Sequence, residues 1–510
     1  MLATSNAPSR PRSLTALNPA LITALGLAAL FVVGTGLRLV NLTEPSMWHD
    51  EIWSVYISKL PLDESFAVMR AGDLQPPLFY LLLRGVIAVF GENIFFLRFL
   101  PLLLGMLALF PLYFMARTFA GQRAAWVASI LFTFSSLDLV FSQMVRMYTL
   151  LALAVLLSYY LFWQLMNAAK PAWWLWAGYV VSTVAMLYSQ NLAVLYLTGQ
   201  GLAWLLLFRN KKLFVRAVVA WAISLVGWFP YLSTFLQQAG GNTYFPKPSV
   251  LLLLDSYLAF GAADRAHNGQ PFSMLPVVQS YLFLGLLVLF WFGWRNLAEK
   301  PRERLYLLIF WLVPLFLCWL VSQFKSVYAD RAFLASAFPF LIILGSSFNK
   351  FAWPIPRPRR PQSSVLLVSG VLVAVLSVWS VSSILGGNYV HNDIRGLAQD
   401  AGRQLNPAPA GEARALLQFT GNATVIFDYY LPPGTPPNVK DFTPESENLL
   451  NSGSGRVCAI SGDATDLLPT QKEALARFQG WLAAQSSQKL LWDKEYPEET
   501  LRLQCWEYRH

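Results

Sequence analysis

The sequence predicts a polytopic α-helical membrane protein with a small soluble domain at its carboxyl end. Apolar residues make up 55% of the 510 residues and charged residues only 13%, whereas soluble domains carry about 25% charge. Apolar runs of roughly 20 residues, the length that a helix needs to cross a bilayer, recur along residues 1–384. This pattern excludes disordered, coiled-coil and collagen-like chains, and also an ordinary soluble enzyme.

Eleven apolar segments are predicted to cross the membrane, and they form a transmembrane domain over residues 1–384. In chain order they are 18–38, 98–116, 124–141, 147–167, 172–190, 192–208, 213–231, 274–294, 305–322, 331–348 and 364–384. A twelfth run, 76–91, is shorter and carries Arg84. It is either a further span or a helix that lies in the membrane interface.

The distribution of charge decides between these two interpretations. With 76–91 in the interface and the amino terminus inside, the inside loops hold 17 basic residues and only two acidic ones, Glu299 and Glu303. The basic residues are Arg10, Arg12, Arg117, Arg123, Lys170, Arg209, Lys211, Lys212, Arg216, Arg295, Lys300, Arg302, Arg304, Lys350, Arg357, Arg359 and Arg360. A spanning 76–91 would invert this bias. The positive-inside rule therefore predicts a cytoplasmic amino terminus and an extracytoplasmic first outer loop, 39–97.

Residues 385–510 are predicted to form an extracytoplasmic α/β domain. Charged residues become common there, and no spanning run remains. Segments 424–430 and 456–460 are typical of short strands, and 471–485 is typical of an amphipathic helix. Cys458 and Cys505 lie in this domain and could pair if it faces an oxidising compartment.

Composition and motifs limit the partners and cofactors. The net charge of +10 does not indicate a nucleic-acid partner, because the basic residues lie in short loops between apolar runs. The four histidines show no ligand spacing, so no metal site is predicted, although a divalent metal is left open as a cofactor. No phosphate-binding loop, nucleophile elbow or dinucleotide fingerprint is present. The energy for a reaction must therefore come from an activated substrate.

The first outer loop carries candidate acid–base groups. Asp50 and Glu51 are adjacent carboxylates between aromatic residues, directly after the first span. A partly desolvated carboxylate can act as a general base, whereas the simpler alternatives are solvated loop charges or a helix cap. Asp73 precedes Pro76 and Pro77, where a negative charge suits the start of a helix.

Two further outer segments carry basic and aromatic groups. The mouth of the third span holds Asp138, Gln143, Arg146 and Tyr148, and the end of the ninth span holds Lys325, Tyr328, Asp330 and Arg331. Basic groups entering an apolar helix suit a phosphate held at headgroup depth. Anchoring to lipid headgroups or a plain ion pair would explain the same residues.

The order of these motifs resembles that of the GT-C superfamily of polyprenyl-phosphate-sugar-dependent glycosyltransferases. The motifs are the DE pair after the first span, D-x-x-PPLFYLLL, FGENIFFLRFLPLLLG, LVFSQMVRMYTLLAL and SVYADRAFLASAFPF. NYVHNDIRGLAQD (388–400) is similar to a segment that opens the outer domain in many relatives. The sequence is most similar to the bacterial relatives of the protein O-mannosyltransferases and to the lipid A aminoarabinose transferases.

The resemblance implies a GT-C fold with interfacial helices in the first outer loop. It also implies inverting transfer of a sugar from a polyprenyl-phosphate donor to a lipid, glycan or protein acceptor, at the outer face of a bacterial plasma membrane. The sugar itself is not identified.

The resemblance also implies residue roles. Asp50 and Glu51 would be catalytic, with Asp50 as the base. The donor phosphate would be bound by Arg331, Lys325, Tyr328 and Arg146, and the substrates by His49, Asp73, Gln75, Asp138 and Tyr148. Gln75 stands where relatives have His or Lys.

Two alternatives to this function remain at the sequence level. One is an oligosaccharide transferase that uses a diphosphate-linked donor. The other is a non-catalytic transporter of lipids or glycans, although the internal repeats common in transporters are missing.

Overall fold

The structure is a computed structural model. It describes residues 18–71, 73, 75–208, 210–240, 247–262, 276–350, 367, 370, 371, 374, 378, 394–406, 412–419, 429–432, 434–436, 438–440, 442–461, 469–496 and 501–509.

Helices form almost all of the described transmembrane domain. They are α1 (Pro19–Leu39), α2 (His49–Lys59), α3 (Leu62–Ala71), α4 (Leu78–Phe90), α5 (Ile94–Leu107), α6 (Leu109–Ala120), α7 (Gln122–Thr133), α8 (Ser136–Ser142), α9 (Tyr148–Asn167), α10 (Trp173–Leu187), α11 (Val194–Leu207), α12 (Lys211–Gly240), α13 (Val250–Ala262), α14 (Pro276–Asn296), α15 (Pro301–Ser322) and α16 (Ala337–Ser346). Short 3₁₀ segments join several of them, including Asp330–Ser336 directly before α16.

The described helices confirm the predicted polytopic architecture without fixing the number of spans. Within the described residues, six stretches are long and apolar enough to cross a membrane: Pro19–Leu39, Ile94–Ala120, Tyr148–Asn167, Lys211–Gly240, Pro301–Ser322 and Arg331–Asn349. The predicted spans 172–190, 192–208 and 274–294 are also helical, as α10, α11 and α14. Most of the predicted eleventh span, 364–384, lies outside the described residues.

Two predicted spans are each broken into two helices. Segment 98–116 divides at Ala108, because Pro111 has no N–H to bond the carbonyl of Leu107. Segment 124–141 divides before Ser135, whose hydroxyl accepts the N–H of Asp138 at 3.3 Å and caps α8.

The described residues of the first outer loop, 39–97, and those between the predicted spans 213–231 and 274–294 are largely helical. Helix α4 has 13 residues and is therefore about 20 Å long, too short for a hydrocarbon core of about 30 Å. Its place in the interface stays a prediction. Helix α12 has 30 residues, a length of about 45 Å, so it extends well beyond the predicted span 213–231.

The described loops among those predicted to lie inside meet at one end of the molecule. Lys300 donates to the carbonyl of Thr118, and Arg302 donates to that of Leu207. Arg216 donates to two carbonyls at the carboxyl end of α9, at 2.7 and 2.8 Å. Basic side chains thus satisfy the free carbonyls at helix ends. We call this cluster, formed by 117–123, 165–170, 207–216, 295–304 and 346–350, the basic end.

The described part of the C-terminal domain contains a five-stranded mixed sheet with helices on both faces, in agreement with the small α/β domain that the sequence predicted. Its strands are β1 (Ala413–Phe419), β2 (Asn438–Lys440), β3 (Gly455–Ser461), β4 (Ser487–Tyr496) and β5 (Leu501–Arg509), and its helices are α17 (Ile394–Leu405), α18 (Pro444–Leu450) and α19 (Pro469–Ala483). The strand order is β2-β1-β3-β5-β4. Strand β1 is parallel to β2 and β3, and β5 is antiparallel to β3 and β4.

The details of this domain test four predictions from the sequence. The predicted strand 456–460 lies in β3, and the predicted helix 471–485 matches α19. The predicted strand 424–430 is wrong at its end, because residues 429 and 430 are helical, and 424–428 lie outside the described residues. Cys458 and Cys505 are directly opposed on β3 and β5 and form a disulfide.

Candidate active site

Asp50 lies in the first turn of α2, where three segments of the chain meet. Its carboxylate is 3.9 Å from the guanidinium of Arg146, which precedes α9, and 3.7 Å from that of Arg331, which precedes α16. His49 Nδ1 lies 3.6 Å from the other carboxylate oxygen. The side chain is 26% exposed, so it is open to a substrate.

These neighbours determine the charge of Asp50. Burial raises the pKa of this carboxyl, but the hydrogen bond with His49 and the positive charges of Arg146 and Arg331 lower it by more, so that the pKa lies below its usual range. Asp50 is therefore ionised at neutral pH and held between two cations.

Arg146 is the buried member of this cluster, with 5% of its side chain exposed. Its guanidinium donates to the backbone carbonyl of Asp50 at 3.2 Å and to the hydroxyl of Ser54 at 3.1 Å. Its Nε–H has no partner within the described part of the chain. A buried donor without an acceptor is costly, so this N–H is available to an anionic ligand.

A second carboxylate, that of Asp73, lies beside the same arginine. The hydroxyl of Tyr80 donates to Asp73 Oδ2 at 2.6 Å. Burial raises the pKa of Asp73 to about 6, against the lowering effects of the Tyr80 hydrogen bond and of the Arg146 charge. The negative charge of Asp50 contributes to this rise. The site therefore contains one firmly ionised carboxylate and one that is protonated in mild acid.

The protonation of Asp73 should be visible in the pH dependence of stability. The folded protein keeps a proton on Asp73 up to about pH 6, whereas the unfolded chain loses it near about pH 3.9. The stabilisation by this bound proton is therefore complete below the pKa that Asp73 has in the unfolded chain. It is lost as the pH rises through the pKa that Asp73 has in the folded protein. The variant Asp73→Asn cannot ionise, so we expect its melting temperature to fall less than that of wild type between pH 5 and pH 7.5.

The control for this measurement is Asp63→Asn, which removes an exposed carboxylate from the same outer loop. Equal pH dependence in Asp73→Asn and wild type would contradict the raised pKa of Asp73.

The loop that carries Asp73 is attached to the end of α12. The amide of Gln238 donates to the carbonyls of Met69 and Asp73 at 2.8 and 2.9 Å. Its oxygen accepts from Asn191 at 2.7 Å and from Tyr231 at 3.1 Å. The extension of α12 beyond its predicted span thus fixes one wall of the site.

Glu51 lies in a different environment from its neighbour Asp50. It is 2% exposed and forms a two-point ion pair with Arg98, at 3.2 and 3.1 Å. The backbone N–H groups of Val145 and Trp48 also donate to its carboxylate, at 2.9 and 3.2 Å. A carboxylate occupied in this way holds α2, α5 and the start of α9 together, and its suggested catalytic role becomes a positioning role in our proposal.

Of the three residues near the end of α15 that were predicted to bind the donor phosphate, only Arg331 is seen in contact with Asp50 among the described residues. Lys325 donates to the carbonyl of Ala239 at the end of α12, and the hydroxyl of Tyr328 donates to Ser256 on α13 at 2.8 Å. These two contacts are with α12 and α13, whereas Arg331 contacts Asp50.

Three other predicted residues have only indirect links to Asp50. Tyr148 is buried and packs edge-on against Phe141 at 5.1 Å. Asp138 is buried at the start of α8 and interacts electrostatically with Arg38 of α1. The side-chain oxygen of Gln75 is buried and has no hydrogen-bond partner among the described residues.

Sequence reasoning missed Arg98, Tyr80 and Gln238. A signal was available only for Arg98, because a single charge inside an apolar segment indicates a buried partner. The described residues contain no group of three or more His, Cys, Asp or Glu side chains arranged to hold a metal ion.

The sequence matches one family profile. The profile of the family described as dolichyl-phosphate-mannose-protein mannosyltransferase matches residues 74–236, which include Arg146 but not Asp50 or Arg331. No curated protein matches the sequence at a significant level.

Solved structures match over most of the chain. ArnT from Cupriavidus metallidurans in the apo state has a TM-score of 0.58 and 15% identity, covering 95% of this chain and 98% of that one. The same protein bound to undecaprenyl phosphate has a TM-score of 0.53 and 15% identity, with 96% and 98% coverage. The Archaeoglobus fulgidus oligosaccharyltransferase in the apo form has a TM-score of 0.52 and 12% identity, covering 86% of this chain and 69% of that one.

Proposed function

We propose that this chain, whose fold is similar to those of ArnT and an archaeal oligosaccharyltransferase, is an inverting glycosyltransferase that uses a polyprenyl-phosphate sugar. The family profile over residues 74–236 and the shared fold support the GT-C superfamily that the sequence resembles. The observation that carries the proposal is the carboxylate of Asp50 within 4 Å of two guanidinium groups, those of Arg146 and Arg331.

The negative carboxylate and the positive guanidinium groups of this cluster suit the two parts of a glycosyl transfer, activation of the acceptor and departure of the phosphate. Asp50 would take the proton from the acceptor hydroxyl or amine. The acceptor atom would then form a bond to the anomeric carbon, and the bond from that carbon to the phosphate oxygen would break, with its electron pair leaving on the phosphate. Arg331 and Arg146 would stabilise the charge that develops on this leaving group.

The position of the arginines also explains how a weakly basic Asp50 could become a base. A donor phosphate between Arg146 and Arg331 would compete with Asp50 for both guanidinium groups. The positive charges of these guanidinium groups help to hold the pKa of Asp50 low. If both groups bound the phosphate instead, the pKa of Asp50 would rise and its carboxylate would become a stronger base. The unpartnered Nε–H of Arg146 offers the phosphate a further donor.

The location of the cluster supports a reaction at the outer membrane face. Helix α9 has 20 residues and so separates the site from the basic end by about 30 Å, the thickness of a hydrocarbon core. With the basic end in the cytoplasm, Asp50 would face the outside of a bacterial plasma membrane. Membrane lipids would surround the domain, and the acceptor would be a lipid, a glycan or a protein.

The donor class is supported by the similarity to ArnT, one structure of which is bound to undecaprenyl phosphate. The fold shared with the archaeal oligosaccharyltransferase favours an oligosaccharide transferase as the second candidate, for which we propose a diphosphate-linked glycan as the donor. Both donors present an anion to the same pair of arginines.

The experiment is a turnover assay on purified protein in lipid nanodiscs with a panel of undecaprenyl-phosphate sugars and one diphosphate-linked glycan. We expect transfer or slow hydrolysis with one monophosphate sugar. Turnover with the diphosphate-linked glycan alone would select the second candidate. Binding without sugar release from any donor would contradict an enzyme and favour a transporter.

Arg331 should contribute mainly to donor binding. A charge-assisted hydrogen bond contributes about 1.5–3 kcal/mol, so we expect Arg331→Met to raise the KM for the donor by about 10-fold to 100-fold. Arg331→Lys should recover part of this loss, because it keeps the charge but not the planar fork. The measurement is donor-dependent transfer at fixed acceptor.

The matched control is Arg70→Met, which removes an exposed arginine from the first outer loop. A donor KM in Arg331→Met equal to that of Arg70→Met would exclude Arg331 from the phosphate site.

A further inference from the structure

The irregular segment 42–47, between α1 and α2, leads directly to Asp50. Its residues form turns and bends rather than helix or strand, so hydrogen bonds from other parts of the chain must fix its path. On one side, Arg98 donates to the carbonyls of Leu42, Pro45 and Ser46 at 2.8, 3.0 and 3.2 Å. The same guanidinium holds Glu51, so this side belongs to the transmembrane domain.

The other side of the segment is held by the C-terminal domain. The guanidinium of Arg395, at the start of α17, donates to the carbonyls of Thr43 and Pro45 at 3.2 and 3.3 Å. The backbone N–H of Arg395 donates to the hydroxyl of Ser46 at 3.1 Å. The carbonyl of Pro45 is therefore shared by an arginine from each domain.

A second contact from this domain lies closer to Asp50. The hydroxyl of Tyr430 accepts the backbone N–H of Met47 at 2.5 Å. Met47 is fully buried, so its N–H depends on this partner. The guanidinium of Arg395 also lies over the Tyr430 ring, 5.5 Å from its centroid, which joins the two contacts into one unit.

We propose that Arg395 and Tyr430 are positioning residues for Asp50, so that the C-terminal domain is a working part of the catalytic site. Four polar groups of segment 42–47 are bound by these two residues, and Asp50 follows Met47 by three positions. A displacement of about 1 Å at a reacting group can reduce a rate by 10²-fold. The proposal rests on the proposed function of Asp50 as the base.

The chemistry of Arg395 is specific to this task. Its hydrogen bonds go to backbone carbonyls and its stacking contact is with a neutral ring. Both carbonyls accept from one guanidinium nitrogen, Nη2, while the planar group lies over the ring face, a stacking contact that a lysine ammonium does not reproduce. Simple packing of one domain on another would not need these directed hydrogen bonds to the segment before Asp50.

The test compares Arg395→Met and Tyr430→Phe with wild type in the full chain. If Asp50 is displaced, kcat should fall by about 10-fold to 100-fold, while equilibrium binding of the donor stays within about twofold, because Arg146 and Arg331 remain. Amide hydrogen exchange in 42–48 should be faster in both variants. The control is Arg403→Met, on the same helix, whose side chain is 73% exposed and contacts Asp400.

The outcomes separate the two proposals. A kcat in both variants equal to that of Arg403→Met, with unchanged exchange in 42–48, would overturn the positioning role and leave the glycosyltransferase proposal intact. An inactive wild type would overturn the proposed function, and the exchange rates would still test the restraint on 42–48. If Arg395→Met does not fold, Tyr430→Phe decides, because it removes a single hydroxyl.

Discussion

Asp50→Asn is expected to reduce sugar transfer by about 10²-fold to 10⁴-fold, the contribution of a general base, and to leave the fold intact. The asparagine amide cannot accept the acceptor's proton. The side chain is partly exposed, and its ion pairs with Arg146 and Arg331 are 3.7 Å or longer, so their loss should cost little stability. The measurement is initial transfer rate, together with melting temperature and donor affinity.

Asp63→Asn is the control for this variant. It neutralises an exposed carboxylate of the same outer loop and should transfer sugar at the wild-type rate. Full activity of Asp50→Asn would remove Asp50 from the mechanism. In that case Asp73, with its pKa of about 6, would become the candidate base, because its pKa is nearer to neutral pH.

Glu51→Gln is expected to have the opposite phenotype, with loss of stability as the primary defect. Removing one partner of a buried ion pair leaves the other charge without compensation and costs about 3–5 kcal/mol. Arg98 is 3% exposed, so water cannot replace the lost carboxylate. We expect a lower free energy of unfolding, measured as a reduced melting temperature and a reduced yield of folded protein.

The neighbouring variant Asp50→Asn is the matched control for Glu51→Gln, since both replace a carboxylate by its amide in the same turn of α2. A wild-type melting temperature in Glu51→Gln would show that the ion pair with Arg98 is dispensable. If that stable variant were also inactive, Glu51 would belong with the catalytic residues.

Much of the fold follows from local properties of the sequence. The apolar segments became helices because in lipid each backbone group must be bonded within its own segment. The bias of basic residues anticipated the basic end, since Lys300, Arg302 and Arg216 bond helix carbonyls there. The cysteine pairing followed once β3 and β5 became neighbours.

The segment 322–331 shows what local properties could not resolve. Lys325, Tyr328 and Arg331 are close in sequence and were all predicted to bind the donor phosphate. After the end of α15 the chain is irregular before the 3₁₀ turn that begins at Asp330. Lys325 and Tyr328 therefore contact α12 and α13, and Arg331 contacts Asp50.

The sequence by itself determined the class of architecture, the segment that carries the acidic pair and the concentration of basic residues at one end. Only the tertiary structure decided which member of the pair faces the site. Successive residues of a helix point about 100° apart, so Asp50 meets Arg146 and Arg331 while Glu51 meets Arg98. It also decided that Arg395 and Tyr430 contact the segment before Asp50. These partners are distant in sequence, and no local pattern specifies contacts that form only when separate helices pack together.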